Sequence, residues 1–303
     1  MLNLKNMLIN KYIYFNGKFV LEEKAIFNIK NVGFLYGDGL FETMASYNGN
    51  IFGFDLHIER LFSSLNELRY NICFSKDFIK EKTIELLKRN GLLNSNAYLK
   101  IIVYRENYKE KFKFDFWSKP NLIIIARKLI PYPEEFYKNG IKIIQSSIKR
   151  TCYNNVIYRH KLLNYFENIY AKNEAYMQSA DDALFVTKDK VVLECTSSNI
   201  FMVKNDIIYT PPITLNILPG ITRKVIIDIC KKNKIRVIQR KLHYYNLLEA
   251  DEIFLTNSIA QILPVKGIDN HFINSNKNMP GEITATLIKE YKKLTLLEEG
   301  SKV

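Results

Sequence analysis

KLIPYPEEF, residues 128–136, divides the chain into two stretches of different texture. Each proline ring clashes with the residue before it and pushes that residue away from helical backbone. The stretch is therefore expected to be extended rather than helical, and 128–135 reads as an interdomain linker. On its N-terminal side, apparent strands cover Tyr12–Phe15, Lys18–Val20 and Ala25–Asn28, and Gly33, Gly37 and Gly39 punctuate GFLYGDGLFET. A helix is expected from Leu56 to Leu68, with Leu61, Leu65 and Leu68 on one face. A second runs from Lys76 to Asn90 and ends at Gly91, a good C-cap residue. Ala97–Tyr104 and Leu122–Ala126 read as buried strands. On the C-terminal side, Ile141–Gln145 is a strand and His160–Met177 a helix. Two hairpins follow, ALFV-TKDK-VVLEC and NIFMV-KND-IIYT, each with polar turn residues between apolar runs. Pro219 and Gly220 then precede an amphipathic helix, DEIFLTNS and ILPVKGI are further strands, and a helix near Ile283–Leu296 closes the chain. The sum is an α+β chain of two domains.

The 303 residues suffice for two cores of ordinary size. With 47% hydrophobic and 25% charged residues, the composition is that of a folded soluble protein and not of a disordered one. No apolar run approaches the ~20 residues needed to span a bilayer. The opening MLNLKNMLINKYIYFNGKFV is interrupted by Asn and Lys and lacks the apolar segment of a signal peptide. Cys73, Cys152, Cys195 and Cys230 form no CxxC pair. Reduced thiols in a cytoplasm are expected, with no disulfide framework and no metal site. The formal charge is +13, from 44 Lys+Arg against 31 Asp+Glu. A footprint for nucleic acid should be clustered, yet the densest run, KKNK at 231–234, reads as the solvated end of a helix. Heavy use of Lys, Asn and Ile everywhere points instead to compositional bias. The resulting positive field would still help recruit an anionic cofactor and an anionic substrate.

A few ionisable residues occupy unusual settings. Lys161 falls where a strand-poor loop, RTCYNNVIYR, enters a helix. Glu194 lies near the end of the apolar strand VVLEC, where a carboxylate is costly unless it has a partner; alone, an exposed strand-end Glu explains it equally well. PGITRK places a Gly and a hydroxyl residue at a helix start, whose backbone N–H groups and positive dipole end suit a phosphate dianion. An ordinary Thr-capped helix would read the same way. His57 and Arg60 lie three apart on one helical face. HExxH, GxGxxG and GxSxG are all absent, so zinc hydrolysis, dinucleotide binding and α/β-hydrolase chemistry find no support.

The order and wording of these stretches resemble the class IV aminotransferases, the fold type IV pyridoxal-phosphate enzymes. The matching stretches are YGDGLFET (36–43), HIERL (57–61), RHKLLNYFENIYAKNEA (159–175), ADDALFV (180–186), ECTSSNIF (194–201), YTPP (209–212), ILPGITR (217–223) and TNSIAQILPV (256–265). The spacing between the two key positions is 194 − 161 = 33 residues. The resemblance implies that Lys161 is the Schiff-base lysine of pyridoxal 5'-phosphate. It makes Glu194 the carboxylate that keeps the pyridine nitrogen protonated. Arg60 becomes a phosphate ligand, with the backbone N–H groups of Ile221 and Thr222, the Thr222 hydroxyl and Ser258. Tyr165 resembles the tyrosine that contacts the cofactor's phenolic oxygen, which in branched-chain transaminases stands one residue further from the lysine. The family fold implies a small N-terminal α/β domain (1–127), a larger C-terminal cofactor-binding domain (136–303) and a homodimer. Neither nucleic acid nor a membrane is an expected partner.

Within the family, transaminases of D-amino acids use an Arg-x-His carboxylate trap where this chain reads YRENYKEKF. Branched-chain transaminases share LPGITR but typically show Gly-Thr-Ala where this chain has Thr256-Asn257-Ser258. The TNSI…PV wording and the strand AYLKIIVYR are most similar to 4-amino-4-deoxychorismate lyase, which forms 4-aminobenzoate and pyruvate for folate synthesis, although the glycine-arginine turn common after that strand is missing. The expectation leans to the lyase, acting on a small carboxylate-bearing amine. The alternative is a branched-chain or D-amino-acid transaminase with 2-oxoglutarate as acceptor.

Overall fold

The computed structural model describes residues 11–108, 110, 113, 116–152, 156–273 and 279–300. The first ten residues, Tyr153–Asn155 of RTCYNNVIYR, and Lys109, Lys111 and Phe112 of YRENYKEKF lie outside the described residues. The chain gathers into two compact units. One comprises Met1–Ile130, Lys161–Asn164 and Thr295–Val303, and the other comprises Pro131–His160 and Tyr165–Leu294.

The first unit contains β1 (Tyr12–Phe15), β2 (Lys18–Leu21), α1 (Val32–Tyr36), β3 (Gly39–Tyr47), β4 (Asn50–Ile51), α2 (Phe54–Glu67), α3 (Lys76–Arg89), β5 (Ala97–Tyr104) and β6 (Asn121–Lys128). The strands form a sheet in the order β2-β1-β6-β5-β3-β4, with every pairing antiparallel. One face is covered by α2 and α3. Leu61 and Leu65 of α2 and Leu86 and Leu87 of α3 are buried with Leu40, Met44, Leu99 and Ile101 of the sheet. The helical spacing of those leucines and the alternation within the strands give this core.

Two expectations fail here. Ala25–Asn28 is not a strand, because a single 3-10 turn at Glu22–Lys24 diverts the chain after β2. The stretch around Gly37 and Gly39 is more than punctuation, since GLFETMASY is a nine-residue strand paired with β5 along its length from Gly39↔Tyr104 to Ser46↔Ala97.

The second unit contains α4 (Glu134–Asn139), β7 (Ile141–Lys149), α5 (Phe166–Met177), β8 (Asp182–Val186), β9 (Val192–Cys195), β10 (Asn199–Lys204), β11 (Ile207–Thr210), α6 (Ile221–Lys232), β12 (Val237–Gln239), α7 (Tyr244–Leu248), β13 (Glu252–Asn257), β14 (Gln261–Ile268) and β15 (His271–Phe272). The last helix, α8 (Glu282–Gly300), begins in this unit. Its sheet runs β12-β11-β10-β13-β14-β7-β8-β9, with β15 on β14. Both hairpins form as expected, β8 with β9 and β10 with β11. Phe201 and Phe254 stack at 4.9 Å across the β10–β13 pair.

Near the prolines, Lys128 ends β6 and the chain stays non-helical through Pro133, whereas Glu134–Phe136 opens α4 directly after Pro133. A further correction concerns the helix expected from His160. It starts at Phe166, and before it Lys161 and Leu163 bond to β3 rather than to a helical turn of their own.

Candidate active site

In the first unit Lys161 lies in a short extended segment laid against β3. The Phe41 N–H donates to the Lys161 carbonyl at 2.8 Å, and the Leu163 N–H donates to the Gly39 carbonyl at 2.9 Å. Leu162 bridges Leu40 in antiparallel fashion. The GDG glycines make this approach possible. Gly37 has φ +68°, and a Cβ on it would lie 2.9 Å from Asn164 Cβ. A Cβ on Gly39 would lie 2.4 Å from Leu163 Cδ1 and 2.9 Å from the Val103 carbonyl. These bonds tie Lys161 and Leu163 to one strand, and the Lys161 Nζ sits 4.4 Å from the Phe41 ring centroid. On the same ring, at 4.6 Å, sits Nζ of Lys100 from β5. Burial, assisted by Arg127, lowers the proton affinity of Lys100 below the usual lysine range.

Beneath the same strand, Arg60 and His57 converge on Glu42. Arg60 donates from Nε and Nη2 to the two carboxylate oxygens at 2.8 and 2.7 Å, and His57 Nδ1 lies 2.7 Å from Oε2. Burial pushes the Glu42 carboxyl up, but Arg60 and His57 more than offset it and hold it at about 2. Asp38, between the two glycines, accepts from Tyr70 Oη at 2.8 Å and from Arg105 at 2.9 Å. Arg105 also donates to the Leu68 and Arg69 carbonyls, so this first arginine after β5 ties the GDG turn to the end of α2.

In the second unit Glu194 is buried on β9, 8% exposed. It receives Arg150 Nη1 at 3.2 Å, the Leu218 N–H at 3.1 Å and Asn199 Nδ2 at 3.4 Å. Arg150 lies 3.5 Å over the Phe185 ring and also donates to Asn168. Tyr165 donates to the Thr196 carbonyl at 2.9 Å, and burial together with Glu194 raises its hydroxyl above the usual tyrosine range. Helix α6 starts at Gly220, whose backbone is extended and which lends no side-chain cap. The first-turn N–H groups of a helix have no partner within it, and here they belong to buried Ile221 and Thr222. Arg223 turns the other way, bonding the Pro211 carbonyl and Gln239 at 2.9 Å each. Ser258 sits in a turn built by Asn257, whose Oδ1 accepts from Ile259 and Ala260 and whose Nδ2 donates to Ser198. Asn199 joins these pieces, because it also donates to the Leu218 carbonyl just before α6.

The sequence-derived residues therefore fall into two groups: Lys161 and Arg60 in the first unit, and Glu194, Tyr165, Ile221, Thr222 and Ser258 in the second. Glu42, Arg150 and Asn199 were not singled out from the sequence. Each is one polar residue in an ordinary context until its buried partner is known.

A family model described as amino-transferase class IV matches residues 39–268. The chain belongs to the class IV aminotransferases. Such enzymes use pyridoxal 5'-phosphate. The chain is 37% identical over 280 residues to a putative branched-chain-amino-acid aminotransferase of Methanocaldococcus jannaschii, covering 92% of this chain and 95% of the relative. It is 31% identical to a D-alanine aminotransferase of Bacillus licheniformis, with 90% and 93% coverage. It is 34% identical to the aminodeoxychorismate lyase of Bacillus subtilis, with 93% and 94% coverage. Among solved structures, the branched-chain amino acid aminotransferase of Escherichia coli matches with a TM-score of 0.88 at 26% identity, covering 94% of this chain and 95% of that one. The α+β architecture is that of this fold type IV group. The residues present suit the family's cofactor: the second unit offers a helix start with no side-chain cap for a phosphate, and a buried carboxylate for a basic ring nitrogen.

Proposed function

We propose that this class IV enzyme is a lyase that converts 4-amino-4-deoxychorismate to 4-aminobenzoate and pyruvate, with Lys161 as its catalytic amine. The observation that carries the chemistry is the setting of Lys161: its carbonyl accepts from the Phe41 N–H of β3, Leu163 bonds Gly39 of the same strand, and its Nζ lies 4.4 Å from the Phe41 ring centroid. A lysine fixed in this way is suited to act as nucleophile and base. When bound, pyridoxal phosphate supplies a carbonyl that condenses with amines and a protonated ring that draws electrons from the amine-bearing carbon.

Lys161 Nζ would take the proton from that carbon, the electron pair left behind would break the adjacent C–O bond of the substrate, and the same proton would go to the methylene carbon of the departing three-carbon unit, which leaves as pyruvate while the substrate's carbocycle becomes aromatic. Glu194, which accepts from Arg150 and the Leu218 N–H, would hold the proton on the ring nitrogen. Arg60, the N–H groups of Ile221 and Thr222, the Thr222 hydroxyl and Ser258 bind the phosphate. Tyr165 supports the phenolic oxygen through its place beside Glu194 and Thr196. The enzyme works as a homodimer in the cytoplasm.

The lean to the lyase rests on TNSI…PV, where Asn257 builds the turn that carries Ser258, and on the likeness to the Bacillus subtilis lyase. Transamination with 2-oxoglutarate is the second reading, favoured by the 37% identity to a putative branched-chain aminotransferase. In that case the proton held on Lys161 Nζ would not pass to a departing three-carbon unit. Pyruvate released from aminodeoxychorismate without any 2-oxo acid supports the lyase. Amino-group transfer from a branched-chain or D-amino acid to 2-oxoglutarate, with no pyruvate release, overturns it.

A further inference from the structure

We infer that Glu42 and His57 are positioning residues that set the plane of the Arg60 guanidinium for a phosphate group. The inference rests on the reading of Arg60 as a phosphate ligand. Glu42 points from β3 into a core of Leu40, Met44, Leu61 and Leu65, and its side chain is 1% exposed. An ionised carboxylate is costly there unless several donors meet it. Both of its oxygens are met. Arg60 approaches through Nε and Nη2, a fork that fixes the plane of the guanidinium and not only its charge. His57, one turn earlier on α2, adds Nδ1 at 2.7 Å to the oxygen that already holds Nη2.

The burial is asymmetric: the acid and the imidazole are each 1% exposed, whereas the Arg60 side chain keeps 11%. A buried ion pair is a weak device for stability, and apolar residues of the same volume often serve better. Here the acid is inside and the cation stands at the border, so the interior pair fixes the cation in one orientation. This is the preorganisation a doubly charged ligand needs if it is to bind without first ordering a long side chain.

Titrating the full-length apoprotein with pyridoxal 5'-phosphate and with pyridoxal tests this, because the two ligands differ only in the phosphate. Glu42→Gln and His57→Leu should each raise the dissociation constant for pyridoxal 5'-phosphate about tenfold or more, while that for pyridoxal stays within about twofold. His57→Asn, which keeps a side-chain N–H near the Nδ1 position, should recover part of the loss. Equal weakening of both ligands, or no weakening, overturns the inference. Arg60→Ala separates the two levels of the account. If it leaves the ratio of the two constants unchanged, Arg60 is not a phosphate ligand and the parent assignment fails. If it shifts the ratio while Glu42→Gln and His57→Leu do not, only the positioning role fails. Glu42→Asp keeps the charge but withdraws the carboxylate, and serves where Glu42→Gln does not fold. If no variant at either position folds, the pair is a core element and the inference is overturned.

Discussion

Glu194 combines near-complete burial with three donors, and its consequences are measurable one side chain at a time. Glu194→Gln should still bind the cofactor but lose activity on the order of a hundredfold, because an amide cannot hold the ring proton. A turnover rate near wild type would show that this carboxylate does not serve the ring. Arg60→Ala should weaken cofactor retention more than Arg223→Ala, since Arg223 is committed to the Pro211 carbonyl and Gln239; equal dissociation constants would contradict this. Glu42 makes a prediction about pH. Its carboxyl is held at about 2 against an ordinary 4.5. The stability it contributes is therefore present above pH 4.5 and lost as pH falls towards 2. Acid unfolding of Glu42→Gln followed by circular dichroism should lack that part of the slope. At this scale the sequence singled out Lys161 and Glu194 because whole motifs surround them. It was silent on Glu42, Arg150 and Asn199, whose meaning depends on partners 15, 44 and 5 residues away.

Segments whose apolar period was clear, such as α2, α3 and the two hairpins of the second unit, were legible because their burial follows local spacing. The segment 161–164 was not: a period of 3.6 extends α5 back through it, yet hydrogen bonds of Lys161 and Leu163 to Phe41 and Gly39 hold it out of the helix. The strand GLFETMASY was not legible for a related reason: Gly37 and Gly39 read as punctuation, whereas they leave room for the approaching lysine segment. Gly37→Ala and Gly39→Ala should therefore displace Lys161 as well as destabilise the fold. A Cβ at Gly37 meets strain at positive φ, and at Gly39 it meets the Val103 carbonyl, for a cost of roughly 1–3 kcal/mol each. Thermal unfolding and the rate of cofactor attachment should both change. If attachment proceeds at the wild-type rate in a destabilised Gly39→Ala protein, the bonds to β3 do not position Lys161.

At the scale of the whole molecule, two stretches carry unusually exposed apolar side chains. In the first unit Ile26 is 84%, Ile29 76% and Phe34 71% exposed; in the second Phe166 is 75%, Tyr176 79% and Met177 83%. Such surface is a liability unless something covers it, which supports the proposed homodimer. Sedimentation at micromolar concentration should give about twice the 35.6 kDa chain mass, and a fully active monomer would contradict that proposal. The +13 charge showed in the sequence, but its spread over the chain carried no site information. The family match, in contrast, spans residues 39–268. What remains central is the identity of the covalent amine. The account is tested most directly by borohydride reduction of the purified, cofactor-loaded protein, followed by peptide mass mapping. The expected result is one pyridoxyl adduct per chain, on Lys161, with Lys161→Ala showing neither the adduct nor the near-visible absorbance. An adduct on Lys100 or any other lysine, in a wild-type protein that turns over, would contradict it.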